Sequence, residues 1–286
     1  MSITLGSNIV SLQAQRRLSI ASEALARTYE KLSSGQRINR ASDDAAGLAI
    51  ADSLKANARI ASVAVRNAND GISTIAIADS ALNEVGNVLT RLAELAEQSA
   101  NGVFSPTQRS ALQNEFVALG SEVERIAVTT EFNGVRLLSG GNELVLQVGF
   151  NSGSTSRISF NGVQGTLQAL GLAGTNSSAL TYSLNGATIA DGQSASRLAL
   201  DAINTAISSL ASTRGILGAT ESRLQVAINN LSVARENFLS AESRIRDVDV
   251  ASEAAELTRL GILQQAGAAV LAQANQQPAL ALSLLR

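Results

Sequence analysis

"INTAISSLASTRGILGATESRLQVAINNLSVARENF" (203–238) decides how this chain folds. Ile203, Leu210, Leu217, Leu224, Leu231 and Phe238 recur at every seventh position, and Ala206, Thr213, Thr220, Ala227, Ala234 and Ala241 follow each of them by three. A 7-residue repeat with apolar groups at two positions puts one narrow stripe on one side of a helix. Large residues at one position and small ones at the other predict a close helix–helix seam. The pattern supports a helix from about 196 to 245, with Gly215 and Gly218 weakening it locally without breaking the repeat.

Three other segments carry the same signature. Leu18, Leu25 and Leu32 repeat with Ala14, Ala21 and Thr28; Val85, Val88, Leu92 and Leu95 form a second seam; Leu112, Phe116, Leu119, Val123 and Ile126 form a third. The third helix has a clear start, because Ser105-Pro106-Thr107-Gln108 is a capping box with proline at the first helical position. Asn101-Gly102 reads as the turn before it, so residues 75–130 are expected to form an antiparallel helical hairpin. Leu257, Leu260, Leu263, Val270 and Leu271 mark a further seam near the C-terminal end.

The middle of the chain changes period. Leu144, Leu146, Val148 and Phe150 alternate with other residues, which predicts a strand, and "NSGSTS" (151–156) turns into "RISF". Asn185-Gly186 is a strong hairpin signal. The expected fold is therefore mainly α: long coiled-coil-like helices from both ends, packed as a discontinuous rod, with a small β-rich insertion over 141–195. The expected division is 1–41 with 246–286, 42–140 with 196–245, and 141–195. Helices as narrow-seamed as the terminal ones are marginal alone and need a partner.

Composition excludes most chemistry. The chain of 286 residues has no cysteine, histidine or tryptophan. Ser-His-Asp and Cys-His machinery is therefore absent, and zinc sites built from Cys and His are not available. A net charge of −2 argues against an electrostatic nucleic-acid binder. Neither a secretory signal nor a membrane span is expected from the apolar runs, and neither is a cofactor or metal. Asp43 and Asp44, in "INRASDDAAGLAIAD" (38–52), could be read as a carboxylate pair. Adjacent helical positions diverge by about 100°, which does not converge two carboxylates on one substrate. The alternative reading is a helix start: Ser42 as N-cap, Asp43 and Asp44 in the first turn, and Arg37 and Arg40 in the preceding link, pairing with either aspartate or with another chain. Ala45, Ala46, Gly47 and Ala49 would then admit a neighbouring helix.

At these residues the chain resembles a known family. "SSGQRINRASDDAAGLAIAD" (33–52), "RNANDGIS" (66–73), "ELAEQSANG" (94–102) and "TEFNGVRLL" (130–138) resemble the N-terminal half of bacterial flagellins. "LGATESRLQVAINNL" (217–231), "ENFLSAESRIRDVDVASE" (236–253) and "ILQQAGAAVLAQANQQPALALSLLR" (262–286) resemble the C-terminal half, and "LQVGFNSG" (146–153) is similar in the middle. The resemblance implies an extracellular filament subunit, exported unfolded through the flagellar type III apparatus. It also implies an inner tube made of both termini and an outer tube around it, with Leu18, Leu25, Leu32, Leu257, Leu260, Leu263, Val270 and Leu271 in the inner seam. Val85, Leu92, Leu95, Leu112, Phe116, Leu119, Leu210, Leu217, Leu224 and Leu231 belong to the outer one. "NANDG" (67–71) reads locally as a helix break, but the family implies one helix from 42 to about 100.

The resemblance further implies copies of the same chain, cap and hook-junction proteins and an export chaperone at the C-terminus as partners. Arg91, Glu94, Leu95 and Glu115 match a segment contacted by the innate-immune flagellin receptor, where Ala93 replaces an arginine; otherwise Arg91 and Glu94 line the solvated flank of a seam. The end of the chain, with Leu280, Leu282, Leu284 and Leu285, is an amphipathic tail interrupted by Pro278, or a segment ordered only on assembly. The alternative functions are a hook–filament junction protein of the same superfamily and a membrane-active amphipathic protein. With about 55 residues between the helical arms, a slim filament is expected.

Overall fold

The computed structural model describes residues 8–139, 143–160, 162–175 and 177–284, with side chains described through Gln276. Its helices are α1 (Ile9–Ser34), α2 (Ala45–Ala100), α3 (Pro106–Thr129), α4 (Ile189–Arg246) and α5 (Val250–Leu284). The strands are β1 (Glu131–Phe132), β2 (Val135–Arg136), β3 (Leu144–Gln147) and β4 (Arg157–Phe160). Residues 59–235 form one compact unit, and residues 1–58 with 236–286 form another.

In the unit 59–235, α2 carries an unbroken alternation of three- and four-residue steps. Ala61, Ala64, Ala68, Gly71, Ile75, Ala78, Leu82, Val85, Leu89, Leu92, Ala96 and Ser99 are all buried. Ile203, Ala206, Leu210, Leu217 and Leu224 of α4 are buried in the same apolar core as Leu82 to Leu92. The pairing is antiparallel, because Ser196 Oγ lies 2.9 Å from Ser99 Oγ while Arg214 Nε meets Asp79 Oδ1 at 2.7 Å. Phe116 and Val123 of α3 complete this core, with Leu112 and Leu119 partly buried against it. Each fully buried Leu is worth about 1.5–3 kcal/mol.

The start of α3 is as the sequence predicts. Ser105 Oγ accepts from Gln108 N–H at 3.4 Å, and Ser105 N–H donates to Gln108 Oε1 at 2.9 Å, closing the capping box. The start of α4 comes earlier than its heptads indicate, at Ile189. There Thr188 and Asp191 cap each other: Thr188 N–H donates to Asp191 Oδ2 at 3.1 Å, and Asp191 N–H donates to Thr188 Oγ1 at 3.1 Å.

The helix runs through "NANDG" without a break. Asn67 Nδ2 donates to the carbonyl of Gln147 at 3.0 Å, and Gly71 leaves the space that Leu146 fills. This polar, glycine-containing turn is therefore where β3 lies on α2, and tertiary contact overrides local propensity. β3 pairs antiparallel with β4, Leu144 opposite Phe160 and Gln147 opposite Arg157. The expected strand through Phe150 is shorter than its alternation, ending at Gln147.

One hairpin signal is corrected. Asn185-Gly186 forms no hairpin: Leu184 is buried, and Gly186 packs against the backbone of Asp191 and Gly192 as the chain enters α4. The same dipeptide at 133–134 does turn a hairpin, with Asn133 at φ 51° and Gly134 at φ 76° between β1 and β2. Both positive φ values are those of a type I′ turn.

In the other unit, α1 and α5 run antiparallel. Ser11 Oγ donates to Asn275 Oδ1 at 2.6 Å at one end, and Lys31 Nζ lies 3.7 Å from Glu253 Oε1 at the other. α5 continues through Pro278 to Leu284, so the proline does not end it. A proline at 278 frees the carbonyl four residues earlier, that of Ala274, and Asn8 Nδ2 donates to it at 2.8 Å. Side chains of the Leu280, Leu282 and Leu284 tail, and Leu285, lie outside the described residues.

Leu217→Ala is expected to destabilise the unit 59–235 by about 2–5 kcal/mol, because Leu217 is 1% exposed. Val226→Ala, at a position 68% exposed, should change it by less than about 0.5 kcal/mol. Urea unfolding followed by circular dichroism measures both.

Candidate assembly surface and link

α1 and α5 form a two-helix layer, which can bury one stripe of each helix and no more. Ala14 and Leu260 are buried in it; Leu18, Leu25, Leu32, Leu257 and Leu271 are half-buried. Leu263 and Val270 are exposed. Leu18, Ile20, Leu260, Leu263 and Val270 line a groove of about 560 Å³ along the pair, with Arg17, Glu256 and Arg259 also in its lining. Leu12 and Ile262, each 62% exposed, are further exposed apolar side chains of the pair. Glu256 and Arg259 pair with each other one turn apart, which draws the Glu256 carboxyl below its ordinary value through the hydrogen bond from Arg259.

Asn8 fixes the register of the pair with both ends of its amide. Its Oδ1 accepts from Ser11 N–H at 3.0 Å and caps α1, while Nδ2 reaches the carbonyl that Pro278 leaves free. The amide orientation is the one that satisfies both contacts.

The link between α1 and α2 is clasped to the link between α4 and α5. Gly35 ends α1 with φ 68°, the left-handed value that favours glycine. Arg37 N–H then donates to the Arg246 carbonyl at 2.6 Å, and Val248 N–H donates to the Gly35 carbonyl at 3.1 Å. Side chains repeat the clasp: Arg37 Nη2 donates to the Ile245 carbonyl at 2.6 Å, and Arg246 Nε to Gln36 Oε1 at 3.0 Å. Arg246 also lies 3.2 Å from Asp52 Oδ1. Ile38 is buried beneath the turn.

The aspartate pair acts on backbone. Asp43 Oδ2 accepts from the N–H groups of Asn39 and Arg40 at 3.1 and 2.9 Å. Those bonds, that from Arg40 foremost, hold its carboxyl below the ordinary aspartate range. Asp44 Oδ1 accepts from Gly47 N–H at 2.8 Å, and α2 begins at Ala45. The N-cap is therefore Asp44, not Ser42, and both aspartates precede the first turn rather than lying in it. Three capping residues in a row offer equivalent local chemistry, and Asp43 is already engaged by the N–H groups of Asn39 and Arg40. Arg40 pairs with Glu30 at 2.8 Å rather than with either aspartate. The space at Gly47 is taken by Asp44 and Ile38 of its own link, while Ala45, Ala46 and Ala49 are exposed among the described residues.

In the unit 59–235, Val85, Leu92, Leu95, Phe116, Leu210, Leu217, Leu224 and Leu231 are buried. Leu95 therefore serves the seam and offers no exposed side chain to a partner. Arg91, Glu94 and Glu115 do share an exposed patch: Arg91 lies 2.8 Å from Glu94 and 2.8 Å from Glu115, joining α2 to α3. The hydrogen bonds that Arg91 donates, that to Glu94 first, raise the Arg91 pKa further. Sequence reading had no signal for Asn8, Gln36 or Arg246, because their partners lie on distant segments, nor for Glu30, whose partners Asn39 and Arg40 lie past the turn that ends α1.

Among the described residues no group of three or more Asp and Glu is placed to hold a metal ion, and no helix is long and apolar enough to cross a membrane.

Residues 5–143 match the family described as bacterial flagellin N-terminal helical region, and residues 200–285 match the bacterial flagellin C-terminal helical region. The chain is 45% identical over 280 residues to a flagellin of Halalkalibacterium halodurans, covering 98% of each. It is 41% identical over 301 residues to a flagellin of Bacillus subtilis, again covering 98% of each. It is 38% identical over 286 residues to a flagellar filament 30.7 kDa core protein of Treponema maltophilum, covering 97% of this chain and 98% of that one. Its fold is like that of a putative flagellar hook-associated protein from Vibrio parahaemolyticus, with a TM-score of 0.55 at 16% identity, covering 72% of this chain and 99% of that one.

Asp44→Ala is expected to lose about 1 kcal/mol of helix-start stability, with Ser42→Ala near neutral; thermal unfolding monitored at 222 nm distinguishes them. Asn8→Asp keeps the cap acceptor and removes the donor to Ala274. It should leave α1 helical while loosening the α1–α5 pair, seen as faster amide exchange in both helices.

Proposed function

The chain belongs to the bacterial flagellin family and is a structural subunit of the flagellar filament, and from that premise we propose that α1 and α5 carry its assembly contacts. The observation that carries this reading is the apolar groove between α1 and α5, bordered by Leu263 and Val270, both exposed. A two-helix layer with so much apolar surface outside its own seam is completed by the same surface on other copies. Residues 1–41 and 246–286 then form the inner tube. Residues 42–140 and 196–245 form the helical part of the outer tube, with 141–195 as its small β-bearing insertion.

Many weak contacts suit a polymer. Each apolar side chain that passes from water into the lattice contributes about 1.5–3 kcal/mol, and mass action over many copies does the rest. The clasp at Gln36 and Arg246 would hold the α1–α2 link against the α4–α5 link within the terminal unit. Asp43 and Asp44, both engaged with backbone N–H groups, serve that joint, and no catalytic role is assigned to them. Export in an unfolded state suits a cysteine-free chain, which folds without disulfides. Cap and hook-junction proteins at the filament ends and an export chaperone on the C-terminal tail are further proposed partners. So is the innate-immune receptor, on the exposed Arg91, Glu94 and Glu115.

A chain lacking residues 1–33, or one lacking 253–286, should remain soluble and helical and fail to polymerise. Salt-induced assembly followed by sedimentation and negative-stain microscopy reads the outcome. Normal filaments from either truncation would remove the terminal helices from the assembly mechanism.

A further inference from the structure

Arg109 is the buried charge that the filament reading leaves unused. It lies in the first turns of α3, is 1% exposed, and its hydrogen bonds go to two backbone carbonyls. Nη1 donates to the Ile189 carbonyl at 2.6 Å, and Nη2 donates to the Asn101 carbonyl at 2.9 Å. Nε has no partner among the described residues. The guanidinium lies across Gly192, where a Cβ would collide with Nη1. One side chain thus joins the end of α2, the start of α3 and the start of α4, all within the unit 59–235.

The surroundings are of the same kind. Ser99 and Ser196 are buried, with Ser196 Oγ 2.9 Å from Ser99 Oγ and 2.7 Å from the Gly192 carbonyl. Ser99 Oγ donates to the Leu184 carbonyl at 3.2 Å, and Leu184 N–H donates to Gln113 Oε1 at 2.5 Å. Leu184 is the large buried side chain of the segment 184–192; Asn185, Ala187, Thr188 and Ile189 are exposed. Leu184 shares the apolar core with the seam from Ile203 to Leu224, and at this end buried polar groups reaching backbone are added to that packing. Buried polar groups that lose a partner are costly, so such a junction closes as a set or opens as a set.

We propose that Arg109 pins a polar latch that ties residues 184–192 to the α2–α3 turn, and that this latch opens as a local unit while the α2–α4 seam stays closed. Local openings of this kind draw on regions with few apolar contacts and exposed backbone. The latch gives the unit a defined weak end, at the turn where α2 hands over to α3.

Amide hydrogen exchange with peptide-resolved mass spectrometry on the full-length chain tests it, comparing the native sequence with Arg109→Met. Exchange at 101–104 and 184–192 should accelerate at least tenfold, with no change at 203–224. Unchanged exchange at 184–192, or equal acceleration at 203–224, would overturn the latch and make Arg109 an ordinary part of the whole core. If Arg109→Met does not fold, Ser196→Ala, which removes the donor to Gly192, carries the same test with the same two criteria.

Discussion

The antiparallel seam between α2 and α4 is the contact on which the unit 59–235 depends. Two helices of 56 and 58 residues, far apart in sequence, meet along a stripe only two positions wide. So narrow a stripe tolerates no change of period. A three–four alternation kept from Ala61 to Ser99 on one helix faces a seven-residue repeat on the other, and α3 closes the open side with Phe116 and Val123. Large side chains at Leu82, Leu89 and Leu92 are fully buried. Ala61, Ala64, Ala68 and Gly71 instead supply clearance, and at Gly71 the clearance is used by Leu146 of the β-hairpin.

The terminal pair follows a different rule. α1 and α5 bury one stripe against each other and leave apolar surface outside it, so the interior of this layer is incomplete within one chain. Its internal order comes from directed polar contacts, Asn8 to Ala274 at one end and the crossed backbone bonds of Arg37 and Val248 at the other. Polar contacts set register here, and apolar side chains such as Leu263 and Val270 stay exposed. That division of labour fits a subunit whose stability and assembly are separate demands.

The legible part of the sequence was the part written in large residues. The Ile203–Leu231 repeat and the Ser105–Gln108 capping box fold as their spacing states. The α2 stripe between Ala61 and Gly71 was not legible, because alanine and glycine carry little hydrophobic signal even when buried. Asn133-Gly134 and Asn185-Gly186 are one dipeptide with two outcomes. Phe132 and Val135 can pair across the first, while burial of Leu184 and the adjoining start of α4 commit the second to a different path. The choice of Asp44 over Ser42 as cap was equally hidden, since Ser42, Asp43 and Asp44 offer the same local capping chemistry. At the candidate site, the seam leucines could be named in advance, but the clasp and Asn8 could not, because each pairs residues more than 200 positions apart. Leu95 shows the converse: a motif placed it on the surface, and the seam period places it in the core.

The absence of cysteine makes the central claim open to one direct measurement. Ser99 and Ser196 place their hydroxyl oxygens 2.9 Å apart across the α2–α4 seam, close enough for a disulfide if both become cysteine. In the double variant Ser99→Cys with Ser196→Cys, mild oxidation of the dilute chain should give a single intramolecular cross-link, seen as a mobility shift on non-reducing gels. The cross-linked chain should still assemble into filaments. Failure to cross-link within the chain, or a cross-linked chain that folds but no longer assembles, would contradict the register of α2 against α4 as the arrangement carried into the filament.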